Sequence, residues 1–101
     1  MTLITLCKES EIVEGQGKLA KANGQEIAVF KVGGEMFAIE NACPHAGGPL
    51  SEGTVFDNCR VVCPWHGLET DLKTGVSTNY AGMSVKTFPV KLENGEVKVE
   101  L

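Results

Sequence analysis

Asn41-Ala42-Cys43-Pro44-His45-Ala46-Gly47-Gly48-Pro49-Leu50 and Val61-Val62-Cys63-Pro64-Trp65-His66-Gly67-Leu68 are the two stretches that organise this chain. The sequence contains two histidines, and each stands close to a cysteine, as Cys43-x-His45 and Cys63-x-x-His66. Seventeen residues, 46 to 62, separate the two pairs. A sulfur and an imidazole from each of two tight turns form a ligand set that suits zinc or iron and is poor for magnesium or calcium. Pro44 and Pro64 fix φ and stiffen each turn. Gly47, Gly48 and Gly67 follow, and glycine lets backbone pass close to a bulky centre. Amide N–H groups in such loops can face a negatively charged inorganic group. The pattern predicts two loops that together hold something larger than a bare ion.

The two motifs, at this gap, resemble the ligand signature of Rieske iron–sulfur proteins. The resemblance runs through Gly47-Gly48-Pro49-Leu50-Ser51-Glu52-Gly53 and His66-Gly67-Leu68-Glu69-Thr70-Asp71-Leu72-Lys73-Thr74-Gly75. It continues in the tail, with Phe88-Pro89-Val90, a hairpin, then Val97-Lys98-Val99. In that family one iron of a [2Fe-2S] cluster takes two cysteines and the other two histidines. The resemblance therefore implies one cluster per chain, with Cys43 and Cys63 on one iron and His45 and His66 on the other. A structural Cys2His2 zinc site is the competing reading, but zinc modules usually pair like ligands locally, and here each loop supplies one of each. Respiratory members of the family carry a second cysteine in each ligand loop, bridged to one another. The matching positions here are Gly48 and Trp65, so that bridge cannot form.

Further expectations follow from the resemblance. The fold is all-β: a base of stacked antiparallel sheets, with a smaller cluster-binding subdomain, about residues 41–72, inserted into a single domain spanning 1–101. The function is one-electron transfer, as in the ferredoxin components of ring-hydroxylating oxygenases, from a flavin-dependent reductase to a terminal oxygenase. The alternative is the small subunit of a nitrite reductase, partnered by its large subunit. High-potential members read His-Gly-Ser-x-Tyr after the second pair, where this chain has His66-Gly67-Leu68-Glu69-Thr70. Leu68 has no donor, and Thr70 is too short to replace tyrosine. The expected potential is therefore toward the low end of the Rieske span of about −150 to +300 mV.

Composition narrows the remaining classes. A chain of 101 residues fits one domain with a modest core. A net charge of −4 and a pI near 5.1 argue against nucleic acid as a partner. No apolar run approaches the roughly 20 residues that span a membrane. The apolar Met1–Cys7 stretch lacks the basic start of a signal peptide, so a soluble, cytoplasmic protein is expected. Cys7 and Cys59 lie outside the ligand set and read as small buried thiols, since a reducing compartment disfavours a bridge between them. Both histidines are committed to metal, which leaves no Ser/His/Asp or Cys/His nucleophile.

Along the chain, Thr2 to Cys7 reads as an edge strand, and Ser10 to Glu14 as one helical turn at most. Lys18 to Ala22 and Gln25 to Val32 are strands joined by Asn23-Gly24, a two-residue hairpin turn. Both faces of the second are apolar, Ile27 and Val29 on one and Ala28, Phe30 and Val32 on the other, so it is expected to be covered on both sides. Gly33-Gly34 turns into Glu35 to Ile39. Thr54 to Phe56 and Cys59 to Val62 pair around Asp57-Asn58, with Cys59 on the face of Val61, and Thr70 to Leu72 pairs back. Val76 to Met83 is poorly patterned and reads as a loop able to fold over the cluster; the sequence does not show whether Tyr80 and Met83 reach it. Val85 to Leu92 is a strand with Phe88, Val90 and Leu92 inward, and Pro89 marks an edge or a bulge. Asn94-Gly95 closes the last hairpin, and Val97, Val99 and Leu101 face inward. Trp65 has two readings, a docking aromatic or a shield across the first loop. Glu40, Glu52, Glu69 and Asp71 are either a solvated rim or a docking patch for a basic reductase.

Overall fold

A computed structural model describes residues 3–42, 48–56, 59–64, 67–79 and 82–100. Among the described residues there are ten short strands in three antiparallel sheets. Strands β1 (Leu3–Lys8), β10 (Glu96–Glu100) and β9 (Val90–Glu93) form the first, in the order β1-β10-β9. Strands β2 (Gly17–Ala22), β3 (Gln25–Val32), β4 (Glu35–Glu40) and β8 (Thr87–Phe88) form the second, in chain order. The third consists of β5 (Thr54–Phe56), β6 (Arg60–Val62) and β7 (Glu69–Asp71), which lie between β4 and β8 in the chain.

Turn chemistry sets the hairpins. Asn23 and Gly24 have φ of 51° and 76°, and Asn94 and Gly95 have 53° and 77°. Two successive residues at positive φ make the turn whose twist matches the flanking strands, and Asn-Gly adopts it at least cost. The single helical turn expected near Ser10 is a 3-10 turn at Glu9–Glu11.

Strand β3 is covered on both faces, as its sequence requires. Ile27 and Val29 pack with Ala20, Ala38 and Phe88 against Val97 and Val99 of the first sheet. Ala28 and Phe30 pack with Ile39 against Val61, Cys63, Leu68 and Leu72 of the third-sheet region, and against Leu50. Ile27, Ala28, Val29 and Phe30 are all fully buried. Val32 packs at the margin of the second of these clusters.

The C-terminal region departs from expectation. Val85 to Leu92 is not one strand. It breaks at Pro89, with β8 paired to β4 in the second sheet and β9 paired to β10 in the first. Proline donates no ladder bond, and here the chain passes from the edge of one sheet to the edge of another. Leu92, expected inward, is 42% exposed. It is in register with buried Val97, but β9 is an edge strand and leaves one flank of the side chain open. Phe88 is buried and Val90 partly so, as expected. Thr2, the Asp57-Asn58 turn and Leu101 lie outside the described residues.

Candidate metal centre

Each ligand loop hangs from a defined base. The first is closed by a bridge between Ala42 and Pro49. Beside it, the Leu50 N–H donates to the Asn41 carbonyl at 2.8 Å. The Asn41 side chain, 5% exposed, accepts the Ser51 N–H at 2.8 Å through Oδ1. The Asn41 backbone N–H donates to the Glu26 carbonyl at 3.2 Å, which ties the loop to β3. A buried amide oxygen and a buried N–H thus satisfy each other. Asn41 is a functional residue that sequence reasoning treated only as the start of the loop.

The second loop extends the β6–β7 hairpin. The Cys63 N–H donates to the Leu68 carbonyl at 2.8 Å, and the Gly67 N–H donates to the Cys63 carbonyl at 3.1 Å. Closing so tight a loop puts Gly67 at φ 71°, where a side chain would be strained. Gly53 joins the two bases: a Cβ there would collide with the Val62 carbonyl and lie 2.7 Å from Val61 Cγ2. Leu50 from the first loop, and Cys63 and Leu68 from the second, meet in one core cluster.

Of the four residues expected to bind metal, Cys63 is described, at the end of β6 and 1% exposed. Cys43, His45 and His66 lie outside the described residues, as do Pro44, Ala46, Gly47, Trp65 and Tyr80. The structure does bring together the backbone on both sides of the two loops. Cys63 suits a cluster ligand: its sulfur sits in an apolar layer, while Pro64 and Gly67 beside it are exposed. A bare thiolate would be costly in such a layer, and coordination to iron removes that cost.

The segment 76–79 lies alongside β7. Thr70 bridges Ser77, and the Asp71 N–H donates to the Val76 carbonyl at 3.0 Å. Asn79 Oδ1 accepts the Glu69 N–H at 2.9 Å, and its Nδ2 donates to the Gly67 carbonyl at 3.0 Å. Met83 packs against the cluster of Cys63 and Leu68. The loop expected over the cluster thus contacts the second ligand loop, chiefly through Asn79, which sequence reading passed over.

Three of the flanking carboxylates are engaged within the fold. Asp71 Oδ1 accepts the Lys73 N–H at 2.7 Å, and Glu40 Oε1 accepts the Lys86 N–H at 2.6 Å. Glu69 pairs with Arg60 at 3.7 Å and accepts the Thr78 hydroxyl at 3.1 Å. Such commitments weaken the docking-patch reading for these three residues.

The remaining cysteines, Cys7 and Cys59, are free thiols and half-buried rather than fully buried. Burial pushes both above the ordinary thiol value, so both are neutral at physiological pH and weakly nucleophilic. Cys59 packs against the cluster that contains Val61, as its face predicted.

Two loops each carrying one cysteine and one histidine, held on three small antiparallel sheets, define an iron–sulfur electron-transfer fold. The model of the Rieske-like [2Fe-2S] domain matches residues 2–100, and the chain belongs to that family. The cofactor is accordingly a Rieske [2Fe-2S] cluster, which displaces the zinc reading. The 3-phenylpropionate/cinnamic acid dioxygenase ferredoxin subunit of Escherichia coli (strain K12) is 34% identical over 102 residues, covering 100% of this chain and 95% of that one. Among solved structures, a chain in the complex of reduced oxygenase and oxidized ferredoxin in carbazole 1,9a-dioxygenase is 30% identical. Its TM-score is 0.86, and the match covers 96% of this chain and 91% of that one. A putative NADH-dependent nitrite reductase small subunit from Mycobacterium tuberculosis has a TM-score of 0.90 at 24% identity, covering 97% and 93%, which shows a shared fold.

Proposed function

We propose that this protein is a ferredoxin that carries one electron from a flavin-dependent reductase to a terminal oxygenase. The supporting observation is the match along essentially its whole length to a dioxygenase ferredoxin subunit. In this reading Cys43 and Cys63 hold one iron and His45 and His66 the other, within a cluster-binding subdomain of about residues 41–72 in a single domain of residues 1–101. The bound cluster supplies a one-electron couple. The chain's part is to anchor it and keep it near the surface. Cys63 is buried, whereas Pro64 and Gly67 on either side of the Trp65-His66 pair are exposed, so a partner can approach closely.

The low-potential expectation gains support from the side chains of β7 and its approach. Leu68 is fully buried among apolar neighbours, and the Thr70 hydroxyl has no hydrogen-bond partner among the described residues. Among the described residues, neither donates to a cysteine sulfur. We place the protein in the cytoplasm; no helix of the described residues is long and apolar enough to cross a membrane.

Purified protein is expected to be reddish, with about two irons and two sulfides per chain. Reduction should give the low average g value of mixed Cys/His ligation. Cys63→Ser or His66→Ala should abolish the normal spectrum. Turnover of a dioxygenase by its reductase should depend on added protein. A colourless product, or normal spectra in both variants, would refute the reading. A second assignment, the small subunit of a nitrite reductase, rests on the shared fold alone. Co-purification with a sirohaem-containing subunit would favour it.

A further inference from the structure

We infer that Asn79 is a positioning residue for the second ligand loop, its carboxamide acting as a short piece of strand that fixes the backbone directly after His66. The inference rests on the ligand assignment proposed above. Strand β7 begins at Glu69, and Gly67 and Leu68 connect it to the ligand turn. Leu68 is secured from inside, with its carbonyl accepting from Cys63 and its side chain buried. On either side of it, the Gly67 carbonyl and the Glu69 N–H need partners from outside the hairpin. Asn79 serves both, with Nδ2 donating to Gly67 at 3.0 Å and Oδ1 accepting from Glu69 at 2.9 Å. An acceptor must meet the Glu69 N–H and a donor must meet the Gly67 carbonyl, so the orientation of the amide follows from its partners. A carboxamide offers a donor and an acceptor side by side, which an ionised carboxylate cannot.

The surrounding chain presents Asn79 at the right height. The Thr78 N–H donates to the Glu69 carbonyl at 2.9 Å, and the Ser77 N–H donates to the Met83 carbonyl at 2.9 Å. The clamp therefore comes from a third segment, separate from both ligand loops. Electron transfer is fastest when ligands move little between redox states, and a clamp on Gly67 restrains the backbone joined to His66.

The test compares Asn79→Ala, Asn79→Asp and Thr78→Ala in the cluster-loaded protein. Two readouts are used: the rate of iron loss to a chelator, and the width of the reduced-state EPR lines. Asn79→Ala should lose iron about 5- to 30-fold faster, the factor expected for one to two net hydrogen bonds, and its EPR lines should broaden. Asn79→Asp keeps the acceptor for Glu69 but sets an oxygen against the Gly67 carbonyl, so it should fare no better than alanine. Thr78→Ala removes only the hydroxyl bond to the Glu69 side chain and should match wild type. If Asn79→Ala does not fold, Asn79→Asp decides the matter alone. Wild-type kinetics and line widths in Asn79→Asp would overturn the inference while leaving the ferredoxin reading intact. A wild-type protein without a Rieske EPR signal would instead overturn that reading.

Discussion

The two faces of β3 are both fully buried, Ile27 and Val29 on one and Ala28 and Phe30 on the other, but they meet unlike partners. One face meets β10, a five-residue strand flanked on both sides by β1 and β9. The other meets Val61 of three-residue β6, Leu68 and Leu72 on either side of three-residue β7, and residues of the ligand loops. Strands that short gain little from their own ladders, so their order depends on packing and loop anchoring. Cys63 belongs to that second layer, and under the proposed ligand assignment metal binding there would couple directly to its folding. The difference teaches that one core stabilises the sheets, while the other also shapes the site.

The largest expected effects come from truncating each face in turn. Phe30→Ala should cost about 3–5 kcal/mol and Ile27→Ala about 2–5 kcal/mol, because both side chains are fully buried. Denaturant unfolding measures both. Cluster absorbance separates them: Phe30→Ala should release iron under conditions where Ile27→Ala still holds it. Equal cluster loss at equal destabilisation would erase the distinction between the two layers.

Gly53→Ala acts on the ligand side alone. Its Cβ would collide with the Val62 carbonyl and crowd Val61 Cγ2 and the Leu50 carbonyl. Backbone cannot swing away as a flexible side chain can, so overpacking of about 1–3 kcal/mol is expected. The altered spacing between the two loop bases should also shift the visible spectrum. Wild-type stability in this variant would show that the bases can part freely.

Much of this was legible in the sequence because it is local. The doubly apolar run of β3 announced a strand covered on both sides, and Asn-Gly placed two hairpins. The Cys/His turns point to the cluster by residue type, while Cys43, His45 and His66 themselves lie outside the described residues. What escaped depends on distant partners. Pro89 signalled an interruption, but not that the strands before and after it join different sheets. Asn41 and Asn79 look like ordinary loop polar residues until Ser51, Gly67 and Glu69 are placed against them. Leu68 first drew notice for the donor it lacks. The structure shows a fully buried side chain, so Leu68→Ser would open a cavity as well as add a hydroxyl and would be a poor probe of potential.

The smallest expected effect belongs to Thr70, and it bears on the same point more cleanly. Thr70 is fully buried on β7, in register with Val61, on the face that Leu68 and Leu72 share. Its hydroxyl is a buried group without a hydrogen-bond partner among the described residues. An unsatisfied buried hydroxyl costs stability, whereas an apolar group of the same shape does not. Thr70→Val keeps the branched outline and removes the hydroxyl, so it should stabilise the protein by about 1 kcal/mol. The reduction potential distinguishes an idle hydroxyl from one that serves the cluster. Reduction adds negative charge to the sulfur-rich centre, so a donor to it favours the reduced form and raises the potential. If the hydroxyl is idle, Thr70→Val should be more stable at an unchanged potential. If it donates to the cluster, losing about 1 kcal/mol of differential strength would lower the potential by roughly 40 mV for a one-electron couple. A fall of that size, without a gain in stability, would return Thr70 to the ligand side of the comparison and remove one support for a low potential.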